Sequence, residues 1–464
     1  MNDIHTIADD TASLDNEATR DFVRRHRADD VRLLALRSHG MDGVNLPFAL
    51  DQIAGWQTAR AKLPTLAATD GIIYPPHLNM EQCSSEATAR YKAALAGRLL
   101  GGFDGEQRPT ELIDITGGFG IDFSFLAPHF ARAVYVERDR SLCAIASHNF
   151  KCLGLTAAET VNGDGVAYLR QRLASASGPL ARPFVFIDPA RRDANGRKVI
   201  GIDDCTPDVL ALRETLMRAT SGVLLKLSPM LDWHAAARAF MPYCREVHIV
   251  SVGNECKELL LVLSPSVPAA ADTQAIRLVC ANDAETFELP FSFGVKPSEP
   301  SGRMITASPG YRAAAAEYQP LRPDGLVGTC LCVPNASIMK SGVFDALAAA
   351  FGVTPVDRDS HLFVSSREVA DFPGRRFRIT GLTTLNKHEL RQRLAGITQA
   401  NIAVRNFPLS AAELRKRLKL RDGGSCYLFA TTMGGRHVIF ITEPATTPIP
   451  QKKPANPQIE DLPV

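Results

Sequence analysis

The chain has 464 residues, too many for one hydrophobic core, so two or three domains are expected. Hydrophobic residues make up 45% and charged residues 22%, the balance of a soluble globular protein, and no apolar run reaches the roughly 18 residues that span a bilayer. The net charge of +2 names no partner by itself. The acidic, polar N-terminus is not a secretion signal, and ten scattered cysteines without paired C-x-x-C motifs predict reduced, cytoplasmic thiols and no metal.

Residues 1–105 read as a helical region. Phe22, Val23, Val31, Leu33, Leu34 and Leu36 supply apolar positions among Arg and Asp, and Asp51–Leu63 continues the pattern. Asn79–Leu100 is predicted as one helix, entered through Ser84 and Ser85 with Glu86 behind them. Cap chemistry is the favoured reading of these residues, although Cys83, Ser84 and Glu86 would reach a ligand if the helix lay against the following loop.

Residues 106–265 form the predicted catalytic domain. Glu111–Asp122 (ELIDITGGFGID) is a short strand carrying Asp114, then a glycine turn, then helix-competent sequence to Phe130. Strand, glycine turn and helix open a nucleotide-binding α/β unit. A dinucleotide fingerprint would need a third glycine where Phe123 stands. Asp114 would also repel a pyrophosphate, whereas it suits the ammonium and sulfonium charges of S-adenosylmethionine (AdoMet). Strands then alternate with helices: Ala133–Glu137, Thr160–Val161, Phe184–Ile187, Val223–Leu227 and Val247–Val252. That alternation predicts a parallel sheet covered on both faces. The six-residue connector to Leu259–Leu263 is too short for a crossover, so the last pair is expected to be antiparallel.

Residues 266–364 read as an accessory region, beginning with a hairpin (Ile276–Cys280, Thr286–Leu289) and continuing through a helix at Ser337–Phe351. Residues 365–445 are a compact basic unit with a helix at Ala411–Leu420, opened by the Ser410–Glu413 capping box and ended by Asp422-Gly423-Gly424. A final hairpin turns on Gly434-Gly435. From Ser365 to Ala445 there are 14 Lys/Arg against 6 Asp/Glu, a net of +8, so the rest of the chain carries −6 of the overall +2. Such asymmetry is a footprint of nucleic-acid contact. The Pro-rich tail, 446–464, is expected to be disordered.

Four acids end consecutive strands or open the loops after them: Asp114, Glu137, Asp164 and Asp188. Ligands bind open α/β sheets at the carboxyl ends of the strands, so these acids should converge on one crevice. Glu137 suits the ribose hydroxyls, Asp164 the adenine amine, and Asp188 the reacting end.

The segments DITGGFGID, VERD, NGDG and DPARR resemble the class I AdoMet-dependent methyltransferases that carry a C-terminal THUMP-like domain. EQCSSEATARYKA near the N-terminus fits the same family, as do VPNASIMKSGVFDALAAAFG, SHLFVSS, FPGRRFRI, NIAVRNFPLSAAELRKRLKLRDGG and YLFATT. The resemblance spans roughly residues 80–445. It implies an α/β, Rossmann-like methyltransferase sheet with an N-terminal helical region and C-terminal α+β, ferredoxin-like and THUMP-like domains. By it, Asp114, Thr116, Gly117, Gly118, Gly120, Asp122, Glu137 and Asp164 become AdoMet contacts, with Phe119 in the same loop. Asp188, Pro189 and Arg191 become active-site residues, and RNA, such as tRNA or rRNA, becomes the substrate class.

The DPARR segment lacks the aromatic that amino-methylating D/N-P-P-Y/F enzymes stack on a base. After the next strand stands Lys226-Leu227-Ser228-Pro229, with no cysteine for C5 chemistry, and Cys256 is displaced by one strand. Direct in-line transfer to a nitrogen or oxygen is therefore expected, with Asp188 orienting the acceptor and Arg191 or Arg192 on a phosphate. Lys226 is a base or the partner of an acid. Arg375, Arg376, Arg378, Arg405, Arg415, Lys416, Arg417 and Lys419 are the candidate RNA contacts. A non-catalytic RNA-binding protein, a methyltransferase with a non-RNA substrate, and an NAD-linked dehydrogenase are the competing readings.

Overall fold

The computed structural model describes residues 16–37, 42–101, 111–175, 182–190, 202, 205–266, 275–283, 285–292, 321 and 325–445. They divide into two compact units at residue 304.

The first unit opens with α1 (Glu17–His26), α2 (Val31–Arg37), α3 (Leu46–Lys62), α4 (Pro64–Ala68), α5 (His77–Gln82) and α6 (Glu86–Gly101). The expected single helix over 79–100 is two. Cys83 is extended (ψ 158°), Ser84 turns its hydroxyl to Asp122, and Ser85 caps α6 by accepting from the Thr88 N–H at 3.3 Å. These helices are pinned to the sheet domain by Asn149, whose side-chain amide exchanges hydrogen bonds of 2.9 and 2.8 Å with the backbone of Ile73.

The sheet follows as β1 (Glu111–Asp114), α7 (Ile121–Leu126), β2 (Arg132–Glu137), α8 (Arg140–Cys152), β3 (Ala158–Asn162), α9 (Gly165–Ser175) and β4 (Phe184–Ile187). Then come α10 (Val209–Ala219), β5 (Gly222–Leu227), α11 (Trp233–Ala239), β6 (Cys244–Val252) and β7 (Glu255–Leu263). Asp139, Asp208 and Asp232 cap α8, α10 and α11, each accepting from two backbone N–H groups. Strand order is 3-2-1-4-5-7-6, with β1 to β5 parallel and β7 antiparallel to both β5 and β6, as the short connector required. The core beneath the glycine loop is aromatic: Phe123, Tyr135, Phe150, Phe184 and Phe186 are all buried.

The hairpin expected to open the accessory region belongs to this sheet instead. Strands β8 (Ala275–Asn282) and β9 (Glu285–Ser292) extend it to nine strands, β8 running parallel to β6.

The second unit has one seven-stranded sheet. It contains β10 (Cys330–Pro334), α12 (Ala336–Ser341), α13 (Phe344–Phe351), β11 (Thr354–Pro355), β12 (Phe363–Ser365), β13 (Gly374–Thr383) and α14 (Lys387–Arg393). It ends with β14 (Asn401–Val404), α15 (Ala411–Leu418), β15 (Tyr427–Met433) and β16 (Arg436–Pro444). The order is 11-12-10-13-16-15-14. The two C-terminal regions expected from sequence thus share a sheet, joined where Leu331 of β10 sits opposite Phe377 of β13. The helix expected over 337–351 breaks at Gly342 (φ 71°), and α15 stops at Lys419 (φ 56°), before the glycines. The Ser410–Glu413 box and the Gly434-Gly435 hairpin are present.

No described helix is long and apolar enough to cross a membrane. Asn149→Ala should leave a buried N–H and C=O of Ile73 unpaired. It should cost the first unit about 2–3 kcal/mol in a denaturant titration, and a loss below about 0.5 kcal/mol would show that the helices are held otherwise.

Candidate active site

At the carboxyl edge of the sheet, Asp114 is buried at the end of β1, accepting from the Thr116 N–H at 2.9 Å and hydroxyl at 3.2 Å. The same hydroxyl oxygen accepts from the Asp188 N–H at 2.7 Å, so the ends of β1 and β4 are tied together. Burial pushes the Asp114 carboxyl up to about 8, and the neighbouring carboxylates Asp122 and Asp188 add to the shift against the opposing Thr116 hydrogen bonds. The glycine turn is packed from below. A Cβ on Gly117 would come within 2.3 Å of the Tyr135 ring, and Gly120 (φ 82°) sits on Phe150. Gly118 (φ 58°) meets nothing closer than 3.8 Å and donates its N–H to Glu137 Oε2 at 2.7 Å.

Glu137 also accepts from the Asp139 N–H at 2.8 Å, which fixes its carboxylate at the end of β2. Asp164 caps α9 through the Ala167 N–H at 2.8 Å and pairs with Arg138. The cap and then Arg138 hold it below the usual carboxylate range.

Two expected cofactor contacts are placed differently. The Phe119 ring is buried in the cluster formed with the N-terminal helices. Asp122, on α7, belongs to a buried chain of charges. It receives the Ser84 hydroxyl at 2.7 Å and lies 3.1 Å from Lys92 and 3.5 Å from Lys226. Lys92 of α6 is fully buried and also meets Glu258 of β7 at 2.5 Å. Lys226 of β5 reaches Asp188 at 2.5 Å and Ser84 Oγ at 3.0 Å. Signs therefore alternate along Glu258, Lys92, Asp122, Lys226 and Asp188.

Burial alone would raise the pKa of Asp122, but Lys92, Lys226 and the Ser84 hydroxyl outweigh it and hold the acid below its ordinary value. At Glu258 burial prevails over Lys92 and the value is raised. Burial likewise pulls Lys226 down, and Asp188, Asp122 and Glu258 more than reverse it, holding the ammonium well above the ordinary lysine value. Of the two roles expected for Lys226, the geometry gives the acid's partner, and a free base it is not. Pro189 is buried, and Ala190 is fixed by paired backbone hydrogen bonds to Thr206. Arg191 and Arg192 lie outside the described residues.

In the second unit, Arg375, Arg378, Lys416, Arg417 and Lys419 are exposed, with the Arg375 guanidinium 5.6 Å from the Phe377 ring centre. Arg405 is half-buried. Arg376 is largely buried, donating to the Val369 carbonyl at 3.2 Å, and Arg415 pairs with Asp422. Those last two are committed within the fold and are poor RNA contacts. Among the described residues, no group of three or more His, Cys, Asp or Glu is placed to hold a metal ion.

Sequence reasoning left Lys92 and Glu258 out of the site and gave Ser84 a capping role. The available signal was a lysine on the buried stripe of α6, at i+3 from Ala89 and i−4 from Ala96. Lys92→Met, which strands Glu258 and Asp122, should cost about 3–5 kcal/mol in chemical denaturation. Lys92→Met combined with Glu258→Leu should recover much of that loss, and a double variant no better than the single one would refute the pairing.

The C-terminal region matches two family models, a ferredoxin-like domain over residues 331–373 and a THUMP domain-like region over 374–444. Uncharacterized S-adenosylmethionine-dependent methyltransferases of two Mycobacterium tuberculosis strains, H37Rv and CDC 1551, are each 22% identical over 367 residues, covering 78% of this chain and 86% of theirs. The crystal structure of a candidate methyltransferase from Porphyromonas gingivalis W83 superposes with a TM-score of 0.73 at 27% identity, covering 92% of this chain and 98% of that one. With its 3-2-1-4-5-7-6 sheet order, the chain takes its place among the AdoMet-dependent methyltransferases, carrying ferredoxin-like and THUMP-like domains at its C-terminus.

Proposed function

We propose that this methyltransferase acts on RNA, transferring a methyl group in line to a nitrogen or oxygen of a nucleotide. The RNA half of the reading is supported chiefly by the +8 module of residues 365–445, whose THUMP domain-like match coincides with exposed Arg375, Arg378, Lys416, Arg417 and Lys419. Arginine and lysine at such density hold phosphates whatever the sequence.

The residues of the crevice fit AdoMet. Asp114 is a buried carboxyl whose pKa is set by burial and by other acids, so a cation beside it relieves an unfavourable charge. Gly118 leaves open space over the turn, and Glu137 stands at the strand end where a ribose diol is commonly held. AdoMet supplies a methyl group on a sulfonium, already a good leaving group. The protein's share is position: Asp114, Thr116, Gly118 and Glu137 hold the donor, and Asp188 turns the acceptor toward it. Asp164, more exposed and engaged with Arg138, suits the adenine edge.

The sign of the pH effect is set by Asp114. Its value is raised from 3.8 to about 8, so the folded protein keeps a proton that the unfolded chain releases. Stability from this site is present below the lower value and declines as pH rises toward the upper one. A cationic ligand favours the ionised form, so AdoMet affinity should increase with pH up to about 8, accompanied by proton release in calorimetry. Asp114→Asn should flatten that profile and weaken AdoMet at least tenfold; an unchanged profile would remove Asp114 from the donor site. Incubation of the protein with methyl-labelled AdoMet and RNA from cells lacking its gene should label RNA, and absence of label despite AdoMet binding would overturn the RNA reading.

A further inference from the structure

The hydrogen bonds left open at the Asp188–Lys226 pair select the acceptor atom. Lys226 Nζ has three N–H donors. One is used at 2.5 Å on Asp188 Oδ2 and one at 3.0 Å on Ser84 Oγ. The third is held only weakly, by a long 3.5 Å bond to Asp122 Oδ2. Asp188 gives one carboxylate oxygen to Lys226, and its other oxygen has no partner among the described residues. The Asp188 side chain is 38% exposed, so the pair opens outward from the buried chain. The site therefore offers an open acceptor on Asp188 beside a Lys226 donor whose long bond to Asp122 is readily exchanged for a ligand.

A hydroxyl answers both at once. It donates to Asp188, accepts from Lys226, and keeps a second lone pair for the methyl carbon. An exocyclic base amine offers only N–H donors, its lone pair being delocalised into the ring, and would leave the ammonium unanswered. Charge points the same way. Attack by an exocyclic amine that has not yet lost its proton builds positive charge beside the Lys226 ammonium, whereas a hydroxyl oxygen giving its proton to Asp188 gathers negative charge that the ammonium stabilises. Nor does Asp188-Pro189-Ala190 carry an aromatic to stack on a flat base.

We propose that the acceptor is the ribose 2′-hydroxyl, the one hydroxyl an internal RNA nucleotide carries. This rests on the reading of RNA as substrate. The 2′-oxygen forms the new bond to the methyl carbon, its proton passes to Asp188 and on to water, and the carbon–sulfur pair stays on sulfur as a neutral thioether. Lys226 is then a catalytic residue that holds the acceptor oxygen. Ser84, Lys92, Asp122 and Glu258 position it from α5–α6, α7 and β7.

The test uses the full chain, tritiated-methyl AdoMet and total RNA from cells lacking the gene, followed by complete alkaline hydrolysis. Alkali cleaves RNA through the 2′-hydroxyl, so a 2′-O-methyl nucleotide survives as a resistant dinucleotide. Label in dinucleotides is the expected result. Label in mononucleotides would overturn the 2′-oxygen while leaving RNA as the substrate, and no label in RNA would overturn both. Lys226→Met should lower kcat by about 10²–10⁴-fold with the AdoMet Kd by calorimetry within about threefold of the parent. That Kd separates loss of the acceptor contact from loss of fold. A variant with kcat within threefold of the parent would take Lys226 out of the reaction.

Discussion

The contact between Lys226 and Asp188 is the constraint around which the first unit is arranged. Each charge withdrawn from water costs several kcal/mol unless it is paired and hydrogen-bonded. A lysine rising from the middle of the sheet therefore needs acids on all sides. The fold supplies them from segments distant in sequence: Asp188 from the end of β4, Asp122 from α7 and Glu258 from β7. Lys92, from a helix that precedes the sheet, balances Asp122 and Glu258. That requirement gives the N-terminal helices a purpose beyond covering the sheet. Without α6 the interior would hold Asp122 and Glu258 with Lys226, already paired with Asp188, as their one nearby cation among the described residues. The break at Cys83–Ser85 serves the same end, since there Ser84 hands its hydroxyl to Asp122 while accepting from Lys226.

Much of this was readable in the chain because the rules involved are local. Strand periodicity and short connectors dictate the parallel sheet and its antiparallel finish, and a strand end is the one place where such a sheet exposes polar atoms. Asp114, Glu137 and Asp188 are direct consequences. Lys92 and Glu258 were not legible, because they are 166 residues apart and neither lies in a loop. A single lysine in an alanine-rich helix carries no mark of burial, and Glu258 reads as the last residue of the connector before Leu259–Leu263. Asp122 was readable as an acid near the glycine turn, but the direction of its side chain depends on which helix packs above it.

The placement of one hairpin differs for a related reason. Alternating sequence specifies a strand but not the sheet it joins. The 275–292 hairpin, expected to open the C-terminal accessory region, instead completes the methyltransferase sheet at the edge beyond β6. Similarly, β10 and β13 lie in different matched regions and yet pair along five residues. Charge density had the same ambiguity at finer scale. Arg376 is next to Arg375 in sequence, but a strand turns neighbours to opposite faces. One guanidinium stays exposed near the Phe377 ring, while the other is spent on the Val369 carbonyl.

Two aspartates separated by seven residues of glycine loop and helix start, Asp114 and Asp122, are both buried, yet their acidities move in opposite directions. Burial acts on both in the same sense. The difference is that Asp122 faces two lysines and a serine hydroxyl, whereas Asp114 faces a threonine and other acids. The fold compensates one carboxylate from within and leaves the other without a cation among the described residues. Asp188 stands between these regimes, bound through its N–H to the Thr116 that serves Asp114 and through its carboxylate to the Lys226 that serves Asp122. A displacement at either end must therefore be felt by Asp188, which ties the end of β1 to the buried chain of charges.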